Sequence, residues 1–152
     1  ISIQLVDFRG NVKSIPANKI NFNYRSIDLP QDLIFLSATF KGKEKKNSEI
    51  KNYVHELIKK KEHAQPTRIK TSGSTFKNPI NQTNKKVWQL IKSNVSKDIN
   101  FGDAFISEKH ANFFVNKKNA NSADMKSLIK YVKEQVYNKT GINLELEIVV
   151  VE

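Results

Sequence analysis

Apolar and polar residues alternate at the start of the chain, where Ile1, Ile3 and Leu5 are separated by Ser2 and Gln4 as though the sequence opened inside a strand. Leu5 to Phe8 and Val12 to Ile15 flank Arg9-Gly10-Asn11, which predicts a hairpin. Leu33-Ile34-Phe35-Leu36, continued by Ala38-Thr39-Phe40, predicts a half-buried strand, and the charged run from Lys41 to Asn47 predicts a turn or linker. The period then changes from two to about 3.6. Ile50, Val54, Leu57 and Ile58 recur on one helical face behind Ser48 as a cap, and Gln65-Pro66 marks the end of that helix. A short helix is expected over Lys86 to Lys92, with Val87, Leu90 and Ile91 on one face and Trp88 near its edge. Ala104-Phe105-Ile106 and Phe113-Phe114-Val115 read as short strands. Met125, Leu128, Ile129, Val132 and Val136 define a helix stopped by Thr140-Gly141, and Leu144 to Val151 reads as a final strand. The pattern gives an α+β chain: a mostly β region over 1–46, a connecting helix and linker over 47–69, and an α/β domain over 70–152.

Composition narrows the class. A chain of 152 residues with 38% hydrophobic content can bury one sizeable core or two small ones. The absence of cysteine excludes disulfides and thiolate metal sites and points to a cytoplasmic setting. No apolar run of about 18 residues and no signal-peptide pattern is present, so neither a membrane span nor export is expected. His55 and His63 fall on the predicted helix surface, and the three dispersed histidines make no metal site. The net charge of +11 admits a basic module that binds nucleic acid or another polyanion. Arginine occurs only at 9, 25 and 68, however, and the clusters Lys43 to Lys46 and Lys59 to Lys61 lie beside glutamates, which favours a solvated lysine-rich surface with no nucleic-acid partner.

The chemistry concentrates in Thr71-Ser72-Gly73-Ser74-Thr75-Phe76-Lys77-Asn78-Pro79, which has the make-up of an anion-holding turn and also of an ordinary connection between elements. A serine hydroxyl is a poor acid that protonates only a strongly basic carbanion or enolate, and Lys77 is close enough in sequence to offset the alkoxide left behind. Arg25 offers a planar fork for a carboxylate. Strand alternation puts Glu145 and Glu147 on one face, and the pattern alone reads Glu147 as a surface residue.

Several segments together resemble one family. Asn23-Tyr24-Arg25-Ser26, Gln65-Pro66 leading into the serine turn, Ser107-Glu108-Lys109-His110-Ala111-Asn112-Phe113, and Leu144-Glu145-Leu146-Glu147 occur in the order found in UDP-N-acetylenolpyruvoylglucosamine reductases. The resemblance covers the later half of such enzymes, of the type lacking a substrate-covering tyrosine loop. It implies that the chain is a fragment: a remnant of the flavin-binding domain followed by the substrate-binding domain, with the N-terminal flavin-binding half of the same protein as its missing partner. It also implies the reaction, in which NADPH reduces FAD and reduced flavin delivers hydride to C3 of UDP-N-acetylglucosamine enolpyruvate while a serine protonates C2. By resemblance that serine is Ser74, and Arg25 and Glu147 stabilise the intermediate. Tyr24, Lys77, Asn78 and His110 match positions near the sugar nucleotide, and Gln65, Arg68 and Lys70 match positions near the flavin or the nucleotide phosphates. The basic charge would then speed encounter with anionic ligands, and the isolated fragment is expected neither to retain FAD nor to turn over. The sequence departs from the family at Leu146 and Val149, around the catalytic glutamate, and in the reduced glycine lead Phe101-Gly102-Asp103-Ala104.

Overall fold

The architecture comes from a computed structural model that describes residues 1–151. The chain divides into two compact units, Ile1–Ile50 and the residues from Lys51 onward.

In the first unit β1 (Ser2–Asp7) and β2 (Val12–Pro16) form the expected hairpin. Its turn is organised by Asp7, whose Oδ1 accepts hydrogen bonds from the backbone N–H groups of Arg9 and Asn11, while Gly10 adopts φ +86°. The Asn11 side-chain amide donates to Oδ2 at 3.0 Å, and this bond leads the set that holds the Asp7 carboxyl below its usual range. A second, smaller hairpin joins β3 (Phe22–Asn23) to β4 (Ser26–Ile27), and β5 (Leu33–Thr39) pairs antiparallel with β1 to give the order β2-β1-β5. The strand expected to be half-buried is instead mostly exposed, with Ile34, Phe35 and Leu36 about half accessible. Only Leu5 and Ile20 are buried in this unit, since it stacks no second layer on its sheet.

Helix α1 (Asn47–Ala64) has the predicted apolar spacing but buries none of its residues. The core belongs to the second unit. Strands β6 (Lys70–Ser74), β7 (Asn100–Phe101), β8 (Ala104–Ile106) and β9 (Phe113–Asn116) make an antiparallel sheet in the order β6-β9-β8-β7. Helix α2 (Val87–Asn94) buries Val87, Leu90 and Ile91, as its pattern predicts. Helix α3 (Ser122–Thr140) packs against α2, β7 and β8 through Leu128, Ile129, Val132 and Val136. At its start Asn121 and Asp124 form a reciprocal capping box, and Gly141 at φ +71° ends it in the left-handed conformation that glycine tolerates.

The expected final strand does not form a ladder. Leu146 makes an isolated antiparallel bridge with Phe76, flanked by Lys77 N–H to Glu145 O and Glu147 N–H to Thr75 O, each 2.9 Å. Continued one way, the register would set Asn143 opposite Pro79, which has no N–H to offer. The side chain of Gln82 takes over, donating to Asn143 O and accepting from Asn143 N–H, both at 2.9 Å. In the other direction the chain reaches the irregular Thr71–Ser74 segment, whose pairing is with β9.

One side chain ties this region together. Asn112 is 3% exposed; its Oδ1 accepts from Phe76 N–H at 3.0 Å and its Nδ2 donates to Phe76 O at 2.9 Å, while its backbone O accepts from Thr75 N–H at 2.8 Å. The amide acts as an extra strand residue that extends the β6–β9 pairing past its irregularity. Asn112→Ala is expected to leave two buried main-chain groups unsatisfied and to cost about 3 kcal/mol, read as a lower urea midpoint by fluorescence of Trp88. A change within 0.5 kcal/mol would show that the clamp is dispensable.

Candidate functional site

The serine turn is built by a bulge. Pairing of β6 with β9 shifts register between Thr71 and Ser74, and Gly73 sits there at φ +89° with open space where a Cβ would lie. Thr71 Oγ1 donates to Phe114 O at 2.7 Å and accepts from Gly73 N–H at 3.2 Å, fixing the approach to the turn. Ser74 follows, half-buried at the end of β6, and Phe76 then anchors the strand in the core, edge-on to Phe114 at 5.8 Å. The hydroxyl of Ser74 thus sits on rigid backbone, because the two residues after it are held by Asn112.

Glu147 is brought to the same segment. Its N–H bonds Thr75 O, so its backbone lies opposite Thr75, the residue after Ser74. The glutamate is half-buried with Oε2 out of contact with solvent, and not the surface residue that pattern alone suggests. Glu145, two residues earlier, is the exposed one; it lies 3.7 Å from Lys77 Nζ across the same pairing. With both side chains substantially exposed, that pair contributes little to stability. It does draw the Lys77 ammonium toward the C-terminal segment.

The remaining expected residues of this unit divide by what already occupies them. Asn78 Oδ1 accepts from Val87 N–H at 3.0 Å and so satisfies an otherwise orphaned donor at the start of α2. His110 is wedged edge-on against Phe113 at 4.9 Å and beside Trp88, and its Nδ1 accepts from Asn112 N–H at 3.3 Å. Burial holds its pKa below 6.5, which favours the neutral ring that this acceptor role requires. Two residues outside the expected set carry the geometry: Asn112, whose buried amide holds the strand, and Thr75, which presents the carbonyl that fixes Glu147. A polar residue next to Phe113-Phe114-Val115 was the available signal for Asn112. No sequence signal distinguishes Thr75 from a strand threonine.

Arg25 and Tyr24 belong to the first unit. They form the two-residue loop of the β3–β4 hairpin, with Asn23 paired to Ser26, and Arg25 adopts φ +59°. A left-handed second loop position is where a type II turn places glycine, so arginine there is strained by an amount of order 1 kcal/mol. Its guanidinium lies over the Tyr24 ring, 5.4 Å from the centroid.

Gln65, Arg68 and Lys70 surround the exit of α1. Gln65 N–H closes the last helical turn onto Lys61 O, Lys70 pairs with Asn116 in the sheet, and Arg68, again left-handed at φ +59°, lines a cavity of about 350 Å³ with Lys59, Glu62, His63, Thr67 and Lys109. Lys109 Nζ donates to Glu62 O at 3.0 Å, neutralising the carbonyl end of the helix. This cavity is polar and basic, suited to a phosphate. Among the described residues no helix is long and apolar enough to cross a membrane and no cluster of metal-ligating side chains occurs.

Comparison with known proteins places this arrangement. Residues 65–151 match the family model described as UDP-N-acetylenolpyruvoylglucosamine reductase, C-terminal domain. The UDP-N-acetylenolpyruvoylglucosamine reductase of Pelagibacter ubique is 64% identical over 148 residues, which are 97% of this chain and 49% of that protein; the Rickettsia bellii protein of the same name is 36% identical, with 97% and 48% covered. The crystal structure of UDP-N-acetylenolpyruvylglucosamine reductase from Thermus caldophilus superposes with a TM-score of 0.77 at 31% identity, over 96% of this chain and 50% of that one. The chain spans about half the length of the curated relatives it matches. With the family model covering more than half of its residues, the chain belongs to the UDP-N-acetylenolpyruvoylglucosamine reductase family, through that family's C-terminal domain.

Proposed function

We propose that this chain forms the substrate-binding and proton-donating part of a reductase that converts UDP-N-acetylglucosamine enolpyruvate to UDP-N-acetylmuramate, an oxidoreductase of peptidoglycan precursor synthesis in the bacterial cytoplasm. The observation that supports the reading is that the segments carrying Ser74 and Glu147 run side by side, joined by the Phe76–Leu146 bridge beside the Asn112 bonds to Phe76. In the family the hydride comes from NADPH by way of FAD, and most of the flavin's binding surface would lie in sequence that this chain does not contain.

The residues of this chain supply the other half of the chemistry. Addition of hydride at C3 of the enolpyruvyl group leaves negative charge at C2 and on the adjoining carboxylate, and a strongly basic carbon of that kind is a proton acceptor that a serine can serve. Ser74 would donate that proton, with the Lys77 ammonium offsetting charge near the alkoxide. Arg25 would hold the carboxylate by two parallel bonds and stabilise the enolate form. Its strained position on a two-residue loop fits a residue kept for its contact with a ligand. Glu147 would partner the intermediate from the shielded side of the site. Tyr24, Lys77, Asn78 and His110 would border the sugar nucleotide, Asn78 and His110 chiefly by shaping it, since each already bonds the protein frame. Arg68, with Gln65 and Lys70 nearby, would meet a phosphate of the cofactor or nucleotide.

Ser74→Ala in the complete enzyme is expected to leave reduction of the flavin by NADPH at its normal rate and to slow turnover of the enolpyruvyl substrate by about 10³-fold; loss of the flavin half-reaction in stopped-flow traces would remove Ser74 from this role. Arg25→Gly relieves the left-handed strain, so the variant should keep its thermal stability within about 1 kcal/mol while losing turnover. Retained turnover would dismiss the carboxylate contact. The chain purified alone should show no flavin absorbance near 450 nm, because hydride chemistry needs a cradle that it does not supply; stoichiometric yellow colour would contradict this.

A further inference from the structure

We propose that Thr75 is a positioning residue for Glu147, its hydroxyl fixing the carboxyl group from the covered side of the strand pair. The inference deepens the role given to Ser74 and Glu147 and rests on that reading. Thr75 is fully buried, and its Oγ1 has no hydrogen-bond partner among the described residues. Its main chain is entirely committed, the N–H to Asn112 O at 2.8 Å and the carbonyl to Glu147 N–H at 2.9 Å. A buried hydroxyl without a partner is costly, and valine has nearly the same shape without that cost. A threonine here therefore asks for a function that its packing does not explain.

The register says where that hydroxyl can go. The Phe76–Leu146 bridge, with its flanking bonds, sets Thr75 opposite Glu147 and Lys77 opposite Glu145. Alternation turns the Phe76 side chain into the core and places the Thr75, Lys77, Glu145 and Glu147 side chains together on the other face. Residues opposed in this way have Cβ atoms about 5 Å apart, within reach of a threonine hydroxyl and a glutamate carboxyl. The face thus carries two polar pairs in succession. The outer one, Lys77 with Glu145, is exposed and ionic. The inner one, Thr75 with Glu147, is shielded, and Glu147 Oε2 is buried there as Thr75 Oγ1 is. Rotation about χ1 of Thr75 aims the hydroxyl along the strand pair at the carboxyl, in a setting where a hydrogen bond weighs on rotamer choice because solvent does not compete. Thr75 itself never reaches a ligand, being covered on all sides.

Thr75→Val and Thr75→Ser in the complete, flavin-loaded enzyme test this. The valine variant is expected to keep its thermal stability and its flavin reduction by NADPH, to bind substrate with unchanged KM, and to lose roughly tenfold in kcat for the enolpyruvyl substrate, while serine restores kcat to within about twofold. Wild-type kcat in the valine variant overturns the inference, and so does an equal loss in valine and serine, which would mark a packing role. Where Ser74→Ala also leaves turnover untouched, the failure lies in the reading of the site and not in Thr75. A crystal structure of the chain gives an independent reading: Oγ1 within hydrogen-bond distance of the Glu147 carboxyl supports the assignment, and Oγ1 turned onto a main-chain carbonyl overturns it.

Discussion

The site depends on one amide. Asn112 meets both hydrogen-bonding groups of Phe76, and through its own carbonyl it also holds Thr75 N–H. Three bonds from one buried residue continue the sheet beyond the bulge at Gly73, where the regular β6–β9 ladder would otherwise stop. Everything placed after the bulge inherits its position from that clamp. Ser74 is fixed because the chain on its far side cannot move, and Glu147 is fixed because its partner strand has been fixed first. Because a buried main-chain group left unpaired costs about as much as a good packing contact, the arrangement is closer to two-state than to adjustable.

The C-terminal segment shows the same economy with side chains in place of a ladder. Pro79 cannot donate to Asn143, and the amide of Gln82 supplies both missing bonds. The turn around Pro79 is thereby free to reverse direction and to deliver Asn78 to the start of α2, while the strand pairing survives for the three residues that carry Glu145, Leu146 and Glu147. The first unit carries its chemistry differently, on a short exposed hairpin whose tip residue, Arg25, holds a backbone conformation better suited to glycine. The bonded frame is concentrated around Thr75 and Phe76, and left-handed strain falls on Arg25 in the first unit and Arg68 in the second.

Much of this was legible in the sequence, for identifiable reasons. The helices α2 and α3 were readable because their apolar residues recur at helical spacing and face a real core, and the Asp7 turn was readable because glycine and asparagine mark it. The half-buried reading of Leu33 to Leu36 failed because periodicity records which residues would be covered and not whether the unit contains anything to cover them. The final strand failed because a run of apolar residues cannot reveal that the segment it would lie against, Thr71–Ser74, is irregular and already paired with β9. The candidate roles of Ser74, Lys77 and Glu147 came from resemblance; the structure sets the two segments that carry them side by side through the Phe76–Leu146 bridge. Asn112 escaped notice as a clamp because a buried asparagine and a loop asparagine look alike until the register is known.

The most direct test of the account is backbone NMR of this chain titrated with UDP-N-acetylglucosamine enolpyruvate at low and moderate salt. The account predicts saturable shift changes centred on Gly73 to Lys77 and on Glu145 to Glu147, only modestly weakened by salt. Changes confined to the basic surface from Lys59 to Arg68, abolished by salt and reproduced by an unrelated polyanion, would contradict it and favour a polyanion-binding module.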